Sequence, residues 1–316
     1  MYGIDCKNEG GFAVDSRIHG VIVAAITPLH EDSNQVNFGL FKDYLEFLIS
    51  KNVNGFFVAG TTGEGLLLSV KERAELFEAA AKSVQNRVPI LAHVGDVSTD
   101  NAVSLAESAR DVGIKAISVV LPYFYPLDEQ AICAYFERIA ASVPELAVYA
   151  YNIPGNTVNN LGASLYQRLV DVIPNFAGVK TSSPDLMQLK DYLYASGEKC
   201  TVLVGCDGLD FPGLVCGAKG LISGNSSAFP EPFVRLYDAV VRGDLAEGRR
   251  MQKCIDELRA ITHDGRYLAI FKEALTLRGI PAGGVRGALR NLTTEELARF
   301  KDEIREWALR WQIETA

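Results

Sequence analysis

Residues 176–182 read FAGVKTS, an apolar run of strand length that carries a lysine, Lys180, near its end. Stretches with helical periodicity separate this run from most of its counterparts elsewhere in the chain. Seven further apolar runs of the same kind occur: Gly20–Ile26, Asn54–Gly60, Pro89–Gly95, Lys115–Leu121, Leu146–Asn152, Thr201–Gly205 and Lys219–Ser223. Eight strand–helix units predict an α/β fold, the (β/α)8 TIM barrel, whose strand C-termini carry the chemistry.

The connecting segments contain recognisable helix signals. Asn37 is expected to cap the first helix, and Ser69 with Glu72 forms a capping box before the second. Ser183 followed by Pro184 predicts the start of the sixth connecting helix. Additional C-terminal helices are predicted over Leu245–Ile261, Tyr267–Arg278 and Thr294–Trp311.

These signals divide the chain into three expected parts. Residues 1–17 are glycine-rich and polar, which predicts a flexible N-terminal tail. The barrel is expected over residues 18–243. Residues 244–316 are expected to form a helical extension packed on the barrel.

The composition indicates one large enzyme-like protein. Its 316 residues are 48% hydrophobic, yet no apolar run approaches the roughly 18 residues of a membrane span. The net charge of −8 without a basic run argues against nucleic acid and anionic membranes as partners. The first residues lack a signal-peptide pattern, and the six cysteines form no CxxC pair. A cytoplasmic protein with reduced thiols and no metal site is therefore expected.

Lys180 is the first candidate catalytic residue. Its neighbours Phe176, Ala177 and Val179 are apolar, and a charged amine is costly to hold among such side chains. The neutral amine, which is a nucleophile toward carbonyl carbon, should therefore be accessible. The structural alternative is a lysine that forms an ion pair across the barrel or extends to its rim.

Two more strand ends carry polar groups. Strand two is followed by GTTGEG (residues 60–65), whose small residues can present backbone N–H groups to a carboxylate or phosphate, or can form an ordinary glycine-rich turn. Strand five ends at Tyr151, which can exchange a proton with a substrate hydroxyl or can simply be a packed tyrosine. His93, in strand three, is expected to line the barrel through a hydrogen bond rather than to bind metal.

Three motifs carry a family resemblance: GTTGEGLLLS (Gly60–Ser69), YNIPGNT (Tyr151–Thr157) and GVK (Gly178–Lys180). In this order, and over nearly the whole chain from Gly20 to Leu292, the sequence resembles the dihydrodipicolinate synthase/N-acetylneuraminate lyase family of Schiff-base-forming aldolases.

The resemblance implies roles for particular residues. Lys180 would condense with the keto group of pyruvate or another 2-keto acid, and Tyr151 would move the accompanying proton. Thr61 and Thr62 would hold the carboxylate, with the Thr61 hydroxyl in a proton relay. The substrate-binding residues would be Thr62, Gly63, Asn156, Gly205, Asp207, Ile222 and Ser223. The resemblance also implies a homotetramer built from dimers, without a metal or organic cofactor.

Some positions depart from the branches of this family. The synthase branch usually has an arginine where this chain has Asn156, and a second tyrosine where it has Phe124. The proton relay to solvent would then be interrupted, or rerouted through Tyr123 or Tyr125. The lyase branch commonly has an acidic residue where this chain has Gly208.

The resulting prediction is a lyase that cleaves or forms a 2-keto-3-deoxy acid, with pyruvate as the common fragment. No arginine or lysine other than Lys180 stands at a strand end, which disfavours a phosphorylated substrate. Dihydrodipicolinate synthase and a keto-acid dehydratase are alternatives. A non-catalytic barrel that binds keto acids is the alternative outside enzymes.

Overall fold

The computed structural model describes residues 18–197 and 199–315, and the predicted tail over residues 1–17 lies outside them. Eight parallel strands form a closed barrel in sequence order, with β1 paired to β8. This confirms the predicted (β/α)8 architecture. The strands are β1 Gly20–Ala24, β2 Gly55–Val58, β3 Ile90–His93, β4 Ala116–Val120, β5 Ala147–Asn152, β6 Phe176–Thr181, β7 Thr201–Val204 and β8 Gly220–Ser223.

Helices alternate with the strands, and more helices follow the eighth unit. The first eight are α1 Phe38–Ser50, α2 Val70–Val84, α3 Thr99–Asp111, α4 Glu129–Ser142, α5 Ala163–Val172, α6 Leu186–Ser196, α7 Asp210–Val215 and α8 Glu231–Val241. The additional helices are α9 Leu245–Ile261, α10 Ala269–Thr276 and α11 Thr294–Trp311. In the described ranges, no helix is both long and apolar enough to cross a membrane.

Local capping signals were informative, with one exception. The Asn37 side chain accepts the Leu40 N–H, and the capping box at Ser69 forms as predicted. The prediction that Ser183 and Pro184 start α6 is wrong. The carboxylate of Asp185 accepts the N–H groups of Met187 and Gln188 at the start of this helix. The Ser183 hydroxyl lies too far upstream to cap them.

The buried apolar residues form two clusters. The larger one lies between the barrel and its helices, while the smaller one fills the barrel interior and includes Phe57, Tyr149 and Tyr151. Strand side chains alternate between these two surroundings. Tyr151 and Lys180 are register partners on β5 and β6, so both lie at the C-terminal end of the barrel.

Candidate active site

A cavity of 790 Å³ opens at the C-terminal ends of the strands. Loops that follow several strands line it, and the segment between α9 and α10 forms part of its mouth. Its volume is typical of small-molecule sites, which run from about 300 to 1,000 Å³. A second groove of 610 Å³ lies at the opposite end of β3 and β4, where barrel enzymes do not place their chemistry.

Lys180 projects into the cavity from the end of β6. Its side chain is buried, and Nζ lies 4.1 Å from the ring centroid of Tyr151 and 4.3 Å from that of Phe57. Among residues 18–197 and 199–315, none offers this amine a carboxylate within ion-pair distance. Neither an ion pair across the barrel nor an extension to its rim therefore explains the lysine. Its amine lies at the cavity, where it can reach the carbonyl carbon of a bound substrate.

Tyr151 adjoins this amine and a hydroxyl of the loop after β2. The Tyr151 Oη lies 3.3 Å from Thr61 Oγ1. The rings of Phe57, His93 and Tyr151 pack edge to face, with centroids 5.6–5.9 Å apart. This packing fixes the phenol ring while its hydroxyl remains at the cavity.

His93 lies under the same loop as a neutral side chain. Burial, together with Arg73 and Lys180, holds the His93 pKa well below its ordinary value. The two hydrogens of Arg73 Nη2 point to the carbonyls of His93 and Gly95, so we assign the imidazole hydrogen to Nδ1, 3.2 Å from the Ala59 carbonyl. His93 thus lines the barrel through a hydrogen bond, as the sequence indicated.

The β2 loop, residues 59–65, carries the two threonines to the cavity. Ala59, at its start, and Glu64, next to its end, both adopt the left-handed backbone conformation with φ of +57°. A Cβ on Gly65 would lie 1.8 Å from the Ala59 carbonyl oxygen, so only glycine allows the loop to close here. This closed loop brings Thr61 and Thr62 into the cavity wall.

Asp207 and Asn225 form another part of the wall, and a polar network behind them holds both side chains. Asp207 Oδ2 accepts hydrogen bonds of 2.8 Å from both Ser223 Oγ and Asn225 Nδ2. Burial raises the Asp207 pKa, and these two donors oppose that rise. The side-chain Oδ1 of Asn225 accepts a further hydrogen bond from the Thr262 hydroxyl. The network presents acceptors and donors suited to a hydroxylated substrate tail.

Two cations of the cavity wall were missed by the sequence analysis. Arg259 and Arg266 line the mouth, although neither follows a barrel strand directly. Arg259 pairs with Asp256 at 3.1 Å and with Asp264 at 2.8 Å. Its guanidinium rests against Gly208, because a Cβ there would lie 2.3 Å from Nη1. Only the chain fold brings these side chains to the strand ends, and no local sequence signal marks them.

Most of the predicted site residues come together in the cavity. Gly63 and Ser223 instead lie behind the wall, where the Gly63 carbonyl accepts from Thr27 and Ser223 donates to Asp207. The predicted residues that line the cavity are Thr61, Thr62, Tyr151, Asn156, Lys180, Gly205, Asp207 and Ile222.

The loop after β4 separates its three aromatic residues. Phe124 is 76% exposed with a φ of +76°, and its ring packs edge to face on the exposed ring of Tyr125. Tyr123 instead lines the cavity, and burial raises its pKa. Tyr123 is therefore better placed than Tyr125 to extend a relay from this cavity. In the part of the chain that the structure describes, no group of side chains is arranged to hold a metal ion.

This barrel, with its cavity and amine at the strand C-termini, has the architecture of an enzyme that acts on small molecules. The model of the dihydrodipicolinate synthetase family matches residues 17–307. The chain belongs to this family, and it is an aldolase-type lyase.

Relatives and solved structures agree with this assignment. A DapA-like lyase of Halobacterium salinarum is 36% identical over 92% of this chain and 95% of its own. A 4-hydroxy-tetrahydrodipicolinate synthase of Desulfotalea psychrophila is 32% identical, with 91% and 96% covered. The sialic acid aldolase structure of Ruminococcus gnavus, a catalytic lysine mutant, superposes with a TM-score of 0.89 at 26% identity, over 93% and 97% of the two chains. A prophage protein of this family from E. coli K12, in complex with pyruvate, gives 0.88 at 28% identity, with 92% and 99% covered.

Proposed function

We propose that this protein is a Schiff-base-forming aldolase that cleaves or forms a 2-keto-3-deoxy acid, with pyruvate as the common fragment. The observation that carries the proposal is the buried Lys180 amine, which lies on the faces of Tyr151 and Phe57 at the end of β6. Binding alone does not need such a nucleophile, which disfavours the non-catalytic alternative.

The reaction begins at the keto carbon, C2. The neutral Lys180 amine attacks C2, and the resulting carbinolamine loses its hydroxyl as water with a proton from Tyr151. A protonated imine and a phenolate remain. The positive charge of the imine lowers the cost of the neighbouring phenolate.

Cleavage then uses the imine as an electron sink. The Tyr151 phenolate takes the proton of the C4 hydroxyl, the C3–C4 bond breaks, and its electron pair forms an enamine as the aldehyde departs. Tyr151 returns the proton to C3, and water hydrolyses the imine to release pyruvate and the free amine of Lys180. Thr61, 3.3 Å from the Tyr151 hydroxyl, is the relay partner.

Different wall residues bind the two ends of the substrate. Thr61 and Thr62, on the β2 loop, bind the carboxylate of the keto acid. Asp207 and Asn156 face the rest of the cavity and take the hydroxylated tail. A dehydratase that uses the same imine is a close variant of this reaction.

Dihydrodipicolinate synthase is the second candidate, because several relatives of about 30% identity carry that activity in their names. Asn156 argues against it for this chain. An uncharged amide cannot replace the bidentate charge of the arginine that the synthase branch uses for a second carboxylate.

The assembly and location belong to the same proposal. A homotetramer built from dimers would cover the exposed rings of Phe124 and Tyr125, and light scattering would report its mass. Buried free thiols at Cys133 and Cys254 support a reducing, cytoplasmic setting.

Trapping with borohydride tests the central step. Pyruvate with borohydride should add one reduced pyruvate unit to Lys180, because hydride converts the imine to a stable amine. Lys180→Arg should abolish the adduct, since arginine stays protonated. Lys190→Arg is a matched control, because Lys190 also lies over an aromatic ring but on the surface. Peptide mapping that found no adduct, or an adduct on another lysine, would overturn the mechanism.

A further inference from the structure

Near the end of the β2 loop, Glu64 forms a buried ion pair with Lys272 of α10, a helix beyond the barrel. Glu64 Oε1 lies 2.7 Å from Lys272 Nζ of α10, and the two side chains are only 2% and 3% exposed. The other Glu64 oxygen accepts the Arg286 N–H at 2.7 Å, and Lys272 also donates to the Gly284 carbonyl. The last residue before Gly65 is thus held by groups more than two hundred positions away in sequence.

Glu64 needs such support for its conformation. Its φ of +57° is disfavoured for a residue with a Cβ, so the conformation persists only where surrounding contacts hold it. The ion pair supplies those contacts at the Glu64 end of the loop. At the Ala59 end, the imidazole of His93 hydrogen-bonds to the Ala59 carbonyl and so holds a second left-handed residue.

The loop between these two supports carries Thr61 and Thr62. We propose that Lys272 is a positioning residue for the substrate carboxylate: through Glu64 it holds Thr61 and Thr62 where they bind a 2-keto acid. The inference rests on the proposed function, because it takes this loop as the carboxylate site. Lys272 itself does not touch the substrate.

A merely structural ion pair would behave differently, and the same region offers one for comparison. Arg278, which follows α10, pairs with Glu231 of α8, and its side chain is 3% exposed. This pair lies at the junction of α10 with α8, and neither of its members lines the cavity or belongs to the β2 loop. Arg278→Met therefore removes a partly buried pair, whose Glu231 keeps Lys51 at 3.4 Å, without changing the support of Thr61 and Thr62.

The experiment measures pyruvate-dependent borohydride trapping on Lys180 in the full chain. In Lys272→Met, the pyruvate concentration for half-maximal trapping should rise by about 10- to 100-fold, since small displacements of binding groups have effects of that size. The trapping rate at saturating pyruvate should stay within about threefold. Arg278→Met should lower the melting temperature and leave half-saturation unchanged.

A second variant keeps the inference testable if Lys272→Met misfolds. Glu64→Gln combined with Lys272→Met leaves no buried charge unpaired and keeps an acceptor for the Arg286 N–H, so it should fold and still show weakened pyruvate binding. Unchanged half-saturation in this folded double variant would overturn the inference, as would an equal rise in Arg278→Met. Absence of any adduct in the unmodified protein would overturn the proposed function and this inference with it.

Discussion

Replacing Tyr151 by phenylalanine removes one hydroxyl group from the candidate site and leaves its ring contacts in place. Those contacts join the Tyr151 ring to Phe57, His93 and the Lys180 amine, and none of them uses Oη. The hydroxyl lies 3.3 Å from Thr61 Oγ1, a long hydrogen bond. Its loss should cost about 1 kcal/mol of unfolding free energy at most, or about 2–4 °C in melting temperature.

The effect on cleavage should be much larger. A positioned acid or base contributes about 10²- to 10⁴-fold in rate, or about 3–5 kcal/mol of activation free energy. Tyr151→Phe should therefore lose that factor in kcat for release of pyruvate from 2-keto-3-deoxy acids. The Lys180 amine is unchanged, so the end-point yield of borohydride-trapped adduct should be retained.

Two measurements separate catalysis from stability. A coupled spectrophotometric assay of pyruvate release gives kcat, and thermal unfolding gives the change in melting temperature. Tyr44→Phe is the matched control, because Tyr44 is a buried tyrosine that accepts the Ile26 N–H outside the cavity. It should change stability without changing kcat. If Tyr151→Phe kept kcat within about threefold of the unmodified protein, the assignment of Tyr151 as the proton carrier would be wrong.

Two further changes test the branch assignment and a buried acid. Asn156→Arg should raise condensation of pyruvate with aspartate semialdehyde by about ten- to hundred-fold, because a charge-assisted carboxylate contact is worth about 1.5–3 kcal/mol; ordinary synthase kinetics in the unmodified protein would contradict this. Burial and the neighbouring Asp207 hold the Asp210 pKa well above its ordinary value. Protonated Asp210 is compatible with burial, whereas the charged form is not. The folded state therefore loses stability as pH rises from the ordinary pKa of an aspartate to the raised pKa of Asp210 in the folded protein. Asp210→Asn should therefore gain up to about 1.4 kcal/mol per pH unit relative to the unmodified protein over that range; denaturant unfolding that gave equal differences at pH 5 and pH 8 would refute it.

Much of the fold could be predicted because its signals are local. The apolar runs mark all eight strands, and the caps at Asn37 and Ser69 depend on residues three positions away. The helices Leu245–Ile261 and Thr294–Trp311 have the predicted bounds. The start of α6 was misplaced because Asp185, two residues after Ser183, is also a good capping residue, and it is the one that caps the helix.

The site could be predicted only where its residues stand at strand ends. Lys180 and Tyr151 do so, and the structure places both in one cavity. Lys272 and Arg259 reach the same region from helices beyond the barrel, and an amphipathic helix pattern does not tell which polar residue will turn inward. Their roles depend on partners far away in sequence, and local rules cannot supply those.

The close approach of Arg259 to Gly208 couples any change at position 208 to the placement of that guanidinium. A side chain introduced at position 208 would meet a guanidinium that Asp256 and Asp264 already anchor. This guanidinium ends a flexible side chain, and its two carboxylate partners are about half exposed or more, so a new side chain at 208 would displace it at modest cost. An acidic residue at 208 would find a cationic partner already in place, so natural lineages that acquire one should retain Arg259.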